Sequence, residues 1–304
     1  MIRGLARLVP KRLRSEFSSW VREKGLHAAS ERTTPIEARL AALEERLPRA
    51  ESGLGDLDTA LQQVLTLLRR EAQIPPPPPR HLQERVVGKY VPGFPESGYE
   101  LCRELDAALA PAGKTLADFR RILDFGCGSG RATRALKTLH PAADVSGTDI
   151  DEEAIAWLAW NYPKFGNFSV APHRPPTEYA DAAFDFIFGI SVFTHLPQEM
   201  EREWLDELRR ISAPGAHLVL TTHGEAHWSK LAPEIREIVE REGFYYGDFG
   251  WNYGRSISLP DFYQTAYHST DYVRREWGKR FEVLAITPLG MGKHQDTVLL
   301  RTPA

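Results

Sequence analysis

The stretch Leu123-Asp124-Phe125-Gly126-Cys127-Gly128-Ser129-Gly130-Arg131 decides how this chain is read. It follows the short apolar run Arg121-Ile122-Leu123-Asp124 and precedes a helical pattern that starts at Arg131. Glycines at such a junction permit a tight turn and let a ligand touch the backbone. The start of the helix offers free N–H groups to a carboxylate or phosphate. Asp149 ends the next strand, where a carboxylate suits a ribose diol. A dinucleotide fingerprint requires G-x-G-x-x-G/A. Here Gly126, Gly128 and Gly130 are spaced by two, with Asp124 standing two residues before the first. That spacing argues against a dehydrogenase.

Outward from the loop, strand and helix patterns alternate. Asp144–Asp149, Phe168–Val170, Phe184–Phe188 and His217–Thr222 read as strands. Residues 97–110, the segment from Arg131, the segment through Ile155 and Leu158, and residues 198–211 read as helices. Phe281–Ile286 and Thr297–Arg301 close the chain as strands. Repeated strand–helix units predict an α/β, Rossmann-like parallel sheet with helices on both faces.

The 304 residues are 26% charged and 42% hydrophobic with a net charge of -3, which excludes collagen-like and wholly disordered classes. The near-neutral balance, and an aromatic region that is not basic, give no footprint for nucleic acid. Two cysteines, Cys102 and Cys127, cannot form a disulfide scaffold and point to a reducing, cytoplasmic setting. No apolar run approaches the roughly 20 residues of a bilayer span. The N-terminus also lacks the apolar region, about 7–15 residues long, of a secretory signal.

Residues 1–34 form a basic segment. Arg3, Arg7, Lys11, Arg12, Arg14, Arg22, Lys24 and Arg32 outnumber Glu16, Glu23 and Glu31, with Leu5, Leu8, Leu13, Phe17, Trp20 and Val21 between them. Two readings stand open: peripheral contact with the inner membrane face through residues 1–32, or a flexible cationic tail, favoured by the helix-breaking Pro10. Residues 35–72 carry heptads: Ile36, Leu40, Leu43, Leu47, Ala50, Leu54, Leu57, Leu61, Val64 and Leu68. Pro48, Gly53 and Gly55 divide them into two helices, about 35–47 and 56–72. The stripe at 36–68 suits either a coiled-coil homo-oligomer or packing on the main domain. Pro75–Pro79 favour an extended polyproline II spacer, so residues 73–80 read as a linker and 81–304 as the main domain.

The D-x-G-x-G-x-G pattern resembles the signature loop of class I S-adenosylmethionine-dependent methyltransferases. Phe184–Phe188 followed by Ser191-Val-Phe-Thr-His195-Leu196 resembles that family's fourth-strand motif. Leu208-Arg-Arg-Ile211 with Ala213-Pro-Gly-Ala216 resembles its passage into the fifth strand. The resemblance covers about residues 90–304. It implies a seven-stranded, mostly parallel sheet with its last strand antiparallel, here carrying an N-terminal helical coiled-coil extension. It implies S-adenosylmethionine as cofactor. Asp124, Gly126, Cys127, Gly128 and Gly130 would hold the methionyl part, Asp149 the ribose and Ile150 the adenine, with Ser191 also in the cofactor site. Where the family often has an acid for the adenine amine, this chain has Ala171-Pro172-His173.

Ligands of parallel sheets bind beyond the carboxyl ends of the strands. His195, His223, His268 and the run His294-Gln295-Asp296 all fall at that edge. An alcohol acceptor needs its proton removed, and a histidine suits that work. His195 or His294 is therefore the expected base, with Asp296 as orienter. His223 and His227 are four residues apart, but no third ligand is evident and no metal is expected. The insert at residues 224–268 concentrates aromatics: Phe244, Tyr245, Tyr246, Phe249, Trp251, Tyr253, Phe262, Tyr263 and Tyr267. With its glycines it reads as a loop or lid, or else as a packed cap over the sheet edge, and His223, Trp251, Tyr253, Tyr267 and His268 are the expected acceptor-binding residues.

The run 190–196, Tyr267-His268-Ser269 and His294-Gln-Asp296 together resemble bacterial methyltransferases of glycan or surface-polysaccharide assembly. The expected function is O-methylation of a sugar or glycan. Methylation of a small amphipathic metabolite or lipid is the alternative acceptor reading. A non-catalytic scaffold assembled through the heptads is the third.

Overall fold

Phe184-Asp-Phe-Ile-Phe-Gly189 shows how this sequence builds its core. Phe186 and Phe188 enter one apolar cluster while Ile187 enters the other. The same alternation recurs at Leu218, Val219 and Leu220, and at Val298, Leu299 and Leu300. Side chains alternate across a strand, so a nearly continuous apolar strand is buried on both faces. In the computed structural model the described residues are 76–89, 91–247 and 260–303. The basic segment, the heptads, Pro75, Trp251 and Tyr253 lie outside them. The chain divides into two units between Pro76 and Pro77, and every helix and strand of the described residues falls in the second.

The elements in chain order are α1 (Arg80–Val87), α2 (Ser97–Leu109), β1 (Arg121–Phe125), α3 (Arg131–Leu139), β2 (Asp144–Asp149), α4 (Glu152–Asn161), β3 (Asn167–Val170), β4 (Phe184–Gly189), α5 (Gln198–Ile211) and β5 (Ser212–Thr222). They continue with α6 (Pro233–Glu242), β6 (Phe244–Gly247), β7 (Thr265–His268), α7 (Thr270–Glu276), β8 (Glu282–Met291) and β9 (Gln295–Arg301). Seven strands form one sheet in the order β3-β2-β1-β4-β5-β9-β8. The pairs β1–β2, β1–β4, β2–β3 and β4–β5 are parallel. β9 runs antiparallel to both its neighbours. This is the α/β sheet expected from the sequence, with its last strand reversed.

Two apolar clusters flank the sheet. On one face, α2 supplies Leu101, Leu105 and Leu109, and α3 supplies Ala132, Ala135 and Leu136, against Phe186, Phe188, Val219 and Leu299. On the other, Trp204, Leu205 and Leu208 of α5 meet Tyr272, Val273 and Trp277. Burying each such large side chain contributes about 1.5–3 kcal/mol. The strand order reverses beside β1, so the carboxyl ends of β1 and β4 frame a crevice there.

Two features differ from the sequence reading. The segment after the prolines is a helix, α1, rather than an undivided start to the domain. Pro79, with φ −54° and ψ 150°, precedes it, and Gly88 closes it in the left-handed region at φ 73°. The aromatic insert is framed by α6 and by the antiparallel hairpin β6–β7, which pairs Phe244 with His268 and Tyr245 with Tyr267. Its described parts thus include a helix and a hairpin rather than loop alone.

Candidate active site

The glycine loop turns directly off β1. The N–H groups of Gly126 and Cys127 donate to the Thr148 carbonyl at 2.8 and 3.0 Å, tying the loop to β2. Gly128 has φ 52°, and a Cβ there would lie 2.8 Å from Val86 of α1. Gly130, at φ 78°, caps α3, and a Cβ there would lie 2.5 Å from Leu158 of α4. The left-handed backbone conformation favours glycine at both positions, and a side chain there would also have to displace the ends of Val86 or Leu158.

Asp149 anchors the loop from the neighbouring strand. Its Oδ2 accepts the Gly128 N–H at 2.7 Å and its Oδ1 accepts the Asp151 N–H at 2.9 Å. The cap of α4 is Asp151, which accepts the N–H groups of Glu153 and Ala154. Asp149 is therefore free of that structural duty. Burial raises its pKa against the backbone N–H bonds that it accepts. Asp124 is 3% exposed and accepts a bond from Thr133 Oγ1 of α3 at 2.7 Å. Burial pushes its carboxyl up to about 7. The Cys127 thiol is buried and its pKa is raised for the same reason, which disqualifies it as a nucleophile.

These groups line a cavity of about 770 Å³, within the range of cofactor sites. Of the expected cofactor residues, Asp124, Gly126, Cys127, Gly128, Asp149, Ile150 and Ser191 lie on its wall. Gly130 stands behind it as the helix cap. Ala171, Pro172 and His173 occupy the wall where the resembled family has an acid. The residues fit S-adenosylmethionine: Asp149 suits a diol, Ile150 an aromatic base, and the glycine cradle is closed to any Cβ.

Several wall residues escaped the sequence reading. Leu82, Arg85 and Val86 of α1 reach the cavity. Arg85 donates to both oxygens of Asp151 at 3.1 Å and to Glu153 at 2.6 Å, and His81 meets Glu153 at 2.9 Å. Phe262 and Tyr263, read from the sequence as part of the aromatic insert without a named role, also line it.

The acceptor-side expectations divide. His195 and His223 stand 6.4 Å apart between ring centres, and His294 is 5.6 Å from His223. His227, not among the expected site residues, completes the group at 5.0 Å from His223 and 4.9 Å from His294. Tyr267 borders it, 5.5 Å from His223. None of these rings lines the cofactor cavity. His195 stacks at 4.1 Å on Tyr263, which does. Burial pushes the pKa of His195 down to about 4 and that of His223 to about 3, the latter helped by the neighbouring histidines. Among the described residues no three His, Cys, Asp or Glu side chains are arranged to hold a metal.

Two expectations require correction. His268 is 1% exposed, and its Nε2 meets Glu201 at 2.6 Å. The same carboxylate accepts bonds from Tyr272 and Trp277. His268 therefore joins β7 to α5 inside the core and is closed to an acceptor. Asp296 does not orient a histidine. Its Oδ1 accepts the Leu289 N–H at 2.9 Å, bracing the β8–β9 hairpin. The exposed ring of His294 makes no bond to it.

The sequence matches the family described as "Methyltransferase domain" across residues 96–252, more than half of the chain. The O-methyltransferase cnsE of Penicillium expansum is 26% identical over 150 residues, 47% of this chain and 50% of that protein. The chain thus spans about half the length of that relative. Among solved structures, an S-adenosylmethionine-dependent methyltransferase from Mesorhizobium loti is 14% identical with a TM-score of 0.48, covering 67% of this chain and 99% of that one. The 1,6-didemethyltoxoflavin-N1-methyltransferase of Burkholderia thailandensis, solved with S-adenosylhomocysteine bound, is 13% identical with a TM-score of 0.46, covering 75% of this chain and 92% of that one. From the match across residues 96–252, this chain belongs to the methyltransferase-domain family.

Proposed function

We propose that the protein is an S-adenosylmethionine-dependent O-methyltransferase, that its acceptor is a sugar or glycan hydroxyl, and that His195 is the base. When bound, the cofactor supplies an electrophilic methyl group on sulfur. Asp149 would hold its ribose, and the β1–α3 loop with Asp124 its methionyl part. The observation that carries the reading is the setting of His195. Its Nδ1 donates to the Gln264 carbonyl at 2.7 Å, which leaves the lone pair on Nε2. Its loop, residues 190–197, also gives Ser191, Val192 and Leu196 to the cavity wall. An imidazole held neutral by burial can take an alcohol proton as the oxygen attacks. The Gln264 carbonyl fills the orienting role expected of Asp296. The tyrosines that border the histidine group combine apolar faces with hydroxyls, as a sugar ring requires.

The test is incubation with S-adenosylmethionine labelled in its methyl group and an extract of the source organism, followed by fractionation. Label in glycan or sugar-nucleotide material is expected. Label in lipid or another small molecule would overturn the acceptor, and cofactor binding without label in any fraction would overturn the enzymatic reading. His195→Gln should keep cofactor affinity while turnover falls about 10²–10⁴-fold, the usual share of a general base.

A further inference from the structure

We propose that Gln295 is a positioning residue that aims the Ser191 hydroxyl into the cofactor cavity, as a donor to the carboxylate of the cofactor's methionyl part. The inference rests on the reading of that cavity as the S-adenosylmethionine site. Ser191 follows β4, lines the cavity and has φ 61°. A residue other than glycine stays in that region only where its surroundings dictate it. Here two neighbours do. The Ser191 N–H donates to Thr221 Oγ1 of β5 at 2.8 Å, and Ser191 Oγ accepts from Gln295 Nε2 of β9 at 2.7 Å. Three strand ends thus converge on one serine. The next residue, Val192, lies where a Cβ on Gly126 would fall, at 2.4 Å, so this serine belongs to the β1 end of the cavity. That is the end expected for the methionyl part.

The chemistry follows from counting hydrogens. A serine hydroxyl has one hydrogen and two lone pairs. The amide N–H of Gln295 takes a lone pair, so the hydroxyl hydrogen has no acceptor in Gln295 and is left to donate elsewhere. Gln295 is 6% exposed, and its Oε1 is buried with no partner among the described residues. Half of this amide is thus left unsatisfied while the other half serves Ser191.

The experiment measures binding of two probes by calorimetry: S-adenosylhomocysteine, and 5′-methylthioadenosine, which lacks the amino-acid part. Ser191→Ala should weaken S-adenosylhomocysteine about 10-fold, the loss of one hydrogen bond to a charged group. Gln295→Met should weaken it by a smaller factor, about threefold, because the hydroxyl remains but loses its direction. The double variant should match Ser191→Ala alone, since Gln295 acts only through the serine. Binding of 5′-methylthioadenosine should be unchanged in all three. Losses that multiply in the double variant, or parallel loss of both probes, would overturn the proposal. Should Gln295→Met fail to fold, Gln295→Leu carries the same test. Failure of the unaltered protein to bind either probe would overturn the reading of the cavity, and this inference with it.

Discussion

Asp149→Asn removes one formal charge and almost no volume, and the structure assigns it a cost. Each oxygen of Asp149 accepts a different backbone N–H, Gly128 at 2.7 Å and Asp151 at 2.9 Å. Asparagine has one acceptor oxygen and one NH₂ group. Whichever way it turns, one of those N–H groups faces another donor. Losing a hydrogen bond to a charged group costs about 1.5–3 kcal/mol. The bond lost holds either the glycine loop or the start of α4, and both border the cavity. Asp149 is also the group assigned to the ribose hydroxyls, and losing that charged acceptor should lower cofactor affinity about 10–150-fold. Calorimetric titration with S-adenosylhomocysteine at neutral pH measures this directly. Because burial raises the Asp149 pKa, the wild-type carboxyl becomes neutral as pH falls, and the gap between the two proteins should narrow toward acid. Affinity within about threefold of wild type at neutral pH would refute this account of Asp149.

The other predictions concern the core and the base. Glu201 is fully buried and accepts bonds from His268, Tyr272 and Trp277. Glu201→Ala would leave three buried donors unpaired and should cost about 3–5 kcal/mol. At about 2–4 °C per kcal/mol for a domain of this size, the melting midpoint should fall by roughly 10 °C, and a loss below about 3 °C would contradict the role given to this network. Burial opposes the charge of His195 and pushes its pKa down to about 4 from an ordinary value of 6.5. The acid limb of kcat/KM should accordingly sit near 4. A depressed histidine pKa contributes stability that is present above the unfolded value and lost as pH falls through the folded one. The thermal midpoint should hence drop as pH falls from about 6.5 toward 4, and less so in His195→Gln. An acid limb at about 6.5 would remove His195 as the base.

Sequence alone determined the sheet and the cofactor loop, because both are written in local signals. The alternation in Phe184–Gly189 and 217–222 specifies strands buried on two faces. The glycines after Asp124 are required by the turn itself, and Asp149 sits where a parallel neighbour must end. Cavity walls drawn from distant segments carry no such period. Arg80-His-Leu-Gln-Glu-Arg-Val-Val87 is too short, and too close to five prolines, to announce a helix reaching the glycine loop. His268 had the same claim to an active site as His195 until folding set Glu201 against it, 67 residues away in the chain. Asp296 stood two residues from His294, yet the hairpin turned its carboxylate to the Leu289 N–H. Proximity in sequence names which polar groups reach the ligand edge of the sheet. Only tertiary packing decides which of them are consumed by partners in the core and which are left to meet a ligand, because that depends on desolvation and hydrogen-bond pairing between elements far apart in the chain.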